Sequence, residues 1–184
     1  LIKLINPNHM TILGFIFGLF MCVLVFFQFY LSALILLMLN RLCDGLDGTM
    51  ARLTIPTPLG GYLDIVFDFT IYSGFVLAFG LSNGNYTIIS MILLFLYIGT
   101  GTTFLAKAAL QSQLDKFPES SELNNGLPKS FYYASGIIEG TETIVYMVLC
   151  LLLPNFYIFL SILFGILCLI TFISRVIVCY KEFI

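Results

Sequence analysis

A chain of 184 residues that is 60% hydrophobic and 10% charged, with a mean hydropathy of +1.04, has too few solvated groups to cover a soluble globule. The net charge of −2 says little, because much of the acid is concentrated in one cluster, and no nucleic-acid partner is expected. Cys22, Cys43, Cys150, Cys168 and Cys179 show no CxxC spacing and imply neither a disulfide framework nor a zinc site.

Apolar windows of about 20 residues, the length that crosses a hydrocarbon core, fit the chain six times. In order they run over residues 9–29, 31–52, 58–82, 86–110, 128–153 and 155–178, which predicts an all-α, polytopic membrane protein with six transmembrane helices. Three connections are tight: one near Tyr30, then Asn83-Gly84-Asn85, then Pro154-Asn155. Residues 111–125 form the single long polar loop. Residues 1–184 are expected to make one membrane domain, and since the first residue is Leu, part of the full chain is expected to precede it.

Six crossings bring the N-terminus, the second-to-third turn, the polar loop and the C-terminus to one side. Lys3, Arg41, Arg52, Lys107, Lys116, Lys129, Arg175 and Lys181 all fall on or toward that side, and the tight connections carry no basic residue. By the positive-inside rule that side is cytoplasmic. A bacterial inner membrane or an equivalent is the expected setting.

Against this apolar background, Asp44-Gly45-Leu46-Asp47-Gly48-Thr49-Met50-Ala51-Arg52 and Gly60-Gly61-Tyr62-Leu63-Asp64-Ile65-Val66-Phe67-Asp68 place four carboxylates within twenty-five residues. Each ionised side chain in a bilayer costs a few kcal/mol, so the cluster needs cations. Asp44 and Asp47 are spaced i, i+3 and Asp64 and Asp68 i, i+4, so each pair shares a helix face, and two antiparallel spans can aim both pairs into one cavity. Oxygen ligands at this density suit two divalent cations, Mg²⁺ or Mn²⁺. Gly45, Gly48, Ala51, Gly60 and Gly61 keep the surroundings free of bulk, and Arg52 offers a planar fork for a phosphate. By spacing alone, the four aspartates also suit a structural charge network with Arg41 and Arg52, or the pathway of a metal or proton transporter.

These residues resemble the DxxDGxxAR and GxxxDxxxD signature of the CDP-alcohol phosphatidyltransferases, membrane enzymes of six helices. Asp44, Asp47, Gly48, Ala51, Arg52, Gly60, Asp64 and Asp68 match it, although the interval from Arg52 to Gly60 is one residue shorter than in the family. The stretch Asn6-Pro7-Asn8-His9-Met10-Thr11 is similar to the one that opens the family's first span. The resemblance implies a phospholipid-biosynthetic transferase that moves a phosphatidyl group from a CDP-linked lipid such as CDP-diacylglycerol to an alcohol and releases CMP. It implies that Asp44, Asp47 and Asp64 are metal ligands and that Asp68 completes the second ion and acts as general base. Asp44, Gly48, Ala51 and Arg52 would line the nucleotide and phosphate site. A homodimer is implied by the same analogy.

For the acceptor, Glu139 and Glu142 lie three apart in the fifth span, a turn or two deep, and an intramembrane acid pair is a functional candidate. Lys107, Lys129 and Arg175 could hold an acceptor phosphate. Internal pairing among these acids and bases, or snorkelling of the bases to the interface, would explain them without a substrate. Glycerol 3-phosphate is the first expectation, with an inositol-type or amino alcohol as the alternative. His9 is expected at the interface rather than in catalysis.

Overall fold

The computed structural model of the protein describes residues 7–53, 57–114 and 138–182. Among them are six α-helices and no strand: α1 (Pro7–Phe26), α2 (Tyr30–Leu53), α3 (Pro58–Ser82), α4 (Thr87–Leu114), α5 (Gly140–Leu152) and α6 (Tyr157–Glu182). Helix is the expected outcome for apolar segments, because hydrocarbon offers no partner to a backbone amide and only intrasegment hydrogen bonds satisfy it.

The helix ends follow local chemistry. Pro58 opens α3 at a position where its missing N–H costs nothing, and the hydroxyl of Thr57 caps the helix by accepting the Gly60 N–H at 3.1 Å. α1 stops at Phe26, three residues earlier than the sequence suggests, because Gln28 takes a left-handed backbone (φ 63°). That side chain then spans to α3, donating to the Ser82 carbonyl at 2.8 Å. The other two tight connections contain short 3₁₀ turns, Gly84–Tyr86 and Pro154–Phe156, and the Asn83 side chain accepts the Asn85 N–H at 3.0 Å.

Among the described residues, four helical stretches are long and apolar enough to cross a membrane: Asn8–Phe26, Pro58–Ser82, Gly84–Ser112 and Pro154–Lys181. α2 is 24 residues long, but Arg41, Asp44, Asp47 and Arg52 interrupt its apolar character. α5 has 13 residues among those described. The chain is a helical, multi-pass membrane protein; the described residues hold six helices, of which four are long and apolar enough to cross, so they do not establish the expected six spans. Two boundaries differ from expectation. α4 continues to Leu114 into the stretch expected as polar loop, and α5 begins only at Gly140, with Ile138 and Glu139 outside the helix. The N-terminal part of the expected fifth span, including Lys129, lies outside the described residues, as do Lys3, Lys116 and most of the polar loop.

α1 packs on α2 and α3, α3 on α4, α4 on α6, and α2 on α5. The core joins Met21, Val25, Leu37, Ile71, Phe75, Phe79, Leu93, Met147, Tyr157 and Phe164, while large apolar side chains such as Phe20, Leu31, Ile88, Phe95 and Phe159 stay exposed on the outside, as lipid-facing residues do. Two glycines one turn apart bring α1 in close. A Cβ on Gly14 would stand 3.0 Å from the Cβ of Cys43 on α2, and one on Gly18 would collide with Ile71 on α3.

At the tight-connection end, aromatic rings clamp the helices together. Tyr30 stacks on Phe79 at 5.5 Å, Phe79 on Tyr157 at 4.2 Å, and Tyr86 leans on Tyr157 at 4.9 Å. Hydrogen bonds Ser90–Tyr157 and Tyr146–Ser161, each 2.7 Å, satisfy hydroxyls that would be costly to bury alone. The opposite end holds the carboxylates.

Candidate active site

Asp47 lies about 9 Å along α2 from its C-terminal residue, and Asp64 about 9 Å along α3 from its first, so the antiparallel pair brings them to similar depth. One carboxylate oxygen each from Asp44, Asp64 and Asp68 lies within 4.8 Å of the other two. Asp47 borders the same narrow cleft, whose free volume of about 10 Å³ suits a water or a single ion and whose walls include Thr11, Asn40, Arg41 and Phe67. Its side chain is buried, and its Oδ2 finds no hydrogen-bond partner among the described residues. A buried, unpartnered carboxylate oxygen beside three converging ones is what a cation-binding site requires, and hard oxygen donors without histidine or cysteine fit Mg²⁺ or Mn²⁺. The two pairs thus reach one cleft, with Asp47 beside the tightest three rather than among them.

Asp68 has both oxygens engaged. Arg41 Nη2 donates to Oδ1 at 2.7 Å, and the Tyr72 hydroxyl donates to Oδ2 at 2.8 Å. Arg41 also reaches Asp44 Oδ2 at 3.4 Å. The charge network envisaged as a rival to metal binding is therefore present in part, through Arg41. Arg52 does not take part. It is exposed, forms no ion pair among the described residues, and is absent from the walls of the cleft. Its guanidinium folds back along Gly48, where a Cβ would come within 4.0 Å of Nη2.

Next to the cleft opens a cavity of about 560 Å³, large enough for a small ligand. Asp64 and Asp68 border both spaces, while Asp44 and Asp47 border only the cleft. Lys107 of α4, Glu139 at the start of α5 and Arg175 of α6 reach the cavity from three elements, together with Tyr72, Tyr97, Thr100 and Phe104. Arg175 is held by a hydrogen bond from Nη1 to the Thr100 carbonyl at 3.1 Å and by the ring of Phe104, 5.8 Å from its guanidinium carbon. It has no ion-pair partner among the described residues, and neither does Glu139.

The two glutamates are not a mid-helix pair. Glu139 is the N-cap of α5 and Glu142 its third helical residue, and together they form a capping box in which the Glu142 carboxylate accepts the Glu139 N–H at 2.9 Å. Glu142 is exposed and does not line the cavity. The pattern Glu139-Gly140-Thr141-Glu142 carries this signal, since an acceptor side chain followed three residues later by Glu marks a helix start. Sequence reasoning missed Tyr97, whose hydroxyl is buried at the cavity wall without a partner among the described residues.

Residues 4–178 match the sequence pattern described as CDP-alcohol phosphatidyltransferase. The chain is 42% identical over 179 residues to the inner membrane protein YnjF of Escherichia coli K12, covering 94% of this chain and 82% of that one. Bifunctional IPC transferase and DIPP synthases also match over 69 residues, among them that of Aquifex aeolicus at 39% identity and that of Archaeoglobus fulgidus at 35%. Each match covers 37% of this chain and, respectively, 16% and 14% of those longer proteins. The chain therefore belongs to the CDP-alcohol phosphatidyltransferase family, whose reaction is transfer of a substituted phospho group from a CDP-linked alcohol.

Proposed function

We propose that this protein transfers a phosphatidyl group from CDP-diacylglycerol, or a close CDP-linked lipid, to the hydroxyl of a small alcohol, with glycerol 3-phosphate the first candidate. The observation that carries the reading is the shared wall. Asp64 and Asp68 face both the carboxylate cleft and the cavity holding Lys107, Glu139 and Arg175, so a donor phosphate and an acceptor hydroxyl can meet at those two side chains.

Asp44, Asp47, Asp64 and Asp68 would hold the divalent cations, which when bound stabilise charge developing on the diphosphate. Asp68 takes the proton of the acceptor hydroxyl as its oxygen bonds to the phosphorus that carries the lipid. The bond from that phosphorus to the CMP oxygen breaks, and CMP leaves. Gly48 leaves room along α2 for the nucleotide, Ala51 belongs to the same signature, and Arg52, exposed at the end of the helix, is available to a phosphate. The absence of lysine and arginine from the tight connections supports a cytoplasmic site.

Lys107 and Arg175 favour an acceptor that itself carries a phosphate. Glu139 favours the second reading, an inositol-type or amino alcohol that offers hydroxyl or amine donors. Reconstituted protein supplied with CDP-diacylglycerol, Mg²⁺ or Mn²⁺ and a panel of alcohols is expected to release CMP with one acceptor class and not without metal. Ion flux in proteoliposomes without CMP release would replace the enzyme by a transporter. Dimerisation stands on family analogy, and sedimentation in detergent tests it.

A further inference from the structure

Arg41 stands three residues ahead of the first signature aspartate, yet its guanidinium lies at the centre of the site. It is only 14% exposed, and each side of its planar fork is committed: Nη2 to Asp68 at 2.7 Å, Nη1 to Asp44 at 3.4 Å, and Nε to the Asn40 side-chain oxygen at 2.7 Å. Asn40 is in turn fixed, buried and donating from Nδ2 to the Gly14 carbonyl of α1 at 2.8 Å. The guanidinium carbon sits 5.9 Å from the centre of the Tyr72 ring, whose hydroxyl holds the other oxygen of Asp68. An exposed ion pair would be worth little, but this one is built in from three helices.

Asp68 Oδ1 cannot serve the guanidinium and a divalent ion equally well, and Asp68 belongs to the set of converging oxygens. We infer that Arg41 is the resident counter-cation of the carboxylate cluster and competes with divalent metal for Asp68. The inference rests on the proposed reading that the cluster binds metal. In consequence, metal binds the resting protein with restrained affinity, and the diphosphate of the donor, by drawing the guanidinium to itself, strengthens metal binding.

Mn²⁺ titration of the reconstituted protein, read by the electron paramagnetic resonance signal of the free ion, tests this without turnover. Arg41→Gln is expected to bind Mn²⁺ about tenfold tighter than the parent, because a unit charge a few ångströms from a double charge is worth roughly that factor even at the dielectric constant of water. Arg41→Lys keeps the charge, loses the fork and is the milder change for folding; it is expected to fall between the two. A scaffold role for Arg41 has the opposite sign, since its loss would loosen the cluster and weaken Mn²⁺. Unchanged or weaker binding in these variants overturns the inference while leaving the metal site standing. Absence of Mn²⁺ binding in the parent protein and in both variants overturns both.

Discussion

The Tyr72 hydroxyl donates to Asp68 Oδ2 across 2.8 Å, one turn further along the same helix, and so fixes the carboxylate that borders both the cleft and the cavity. Tyr72→Phe removes only the donor. Turnover is expected to fall roughly tenfold, the worth of a hydrogen bond to a charged group, while the melting temperature stays close to the parent's. Parallel CMP-release and thermal-melting assays check the pair of outcomes.

Asp68→Asn keeps the shape of the side chain and removes its charge. Turnover is expected to drop more than about a hundredfold, the usual contribution of a positioned base, while CMP binding stays measurable because Asp44, Asp47, Asp64 and Arg52 remain. Calorimetric titration with CMP alongside the activity assay separates the two effects. Retained turnover would remove Asp68 from the chemistry.

Asn40 ties α2 to α1 through the Gly14 carbonyl and orients Arg41, and it is 3% exposed. Asn40→Leu is expected to cost about 1–3 kcal/mol, the penalty for leaving a buried donor unpaired. Gly18→Val should destabilise by a similar amount for a different reason, since its new methyl groups meet Ile71. Denaturation in detergent followed by intrinsic tyrosine fluorescence measures both.

Arg175→Gln is expected to raise the acceptor KM severalfold with little change in kcat if the acceptor carries a phosphate, and Glu139→Gln to do so if it carries an amine or free hydroxyls. Tyr97→Phe is more diagnostic. Its hydroxyl has no partner among the described residues, so its removal should leave stability equal or higher, whereas a raised acceptor KM would show that the ligand supplies the missing partner. An unaltered KM in all three would move the acceptor elsewhere.

The aspartates were legible in the sequence because helical spacing fixes which residues share a face, and a charge in an apolar span demands an explanation. The convergence of the acids of α2 and α3 was legible too, since adjacent spans run antiparallel, although both helices pack on α1 rather than on each other and it is their side chains that meet. Arg41 could be counted as a charge but its partner could not, because the choice between Asp44 on its own helix and Asp68 across the interface depends on rotation about both helix axes. Apolarity alone puts Glu139 and Glu142 inside the fifth span, whereas their capping pattern marks a helix start at Gly140, where the helix begins. Gly14 and Gly18 carry a spacing often associated with contacts between separate spans, and here it serves packing within one chain, against Cys43 and Ile71.

The unpartnered Oδ2 of Asp47 reaches beyond catalysis. Hydration is lost when that oxygen is buried, and no protein donor among the described residues makes good the loss, so any cation it binds also acts as a ligand of the folded form. Saturation at a hundred times the dissociation constant would add about 2.7 kcal/mol to the folded state. Under the proposed metal-binding reading, withdrawal of Mg²⁺ or Mn²⁺ should thus shorten the lifetime of this protein in its membrane as well as silence it.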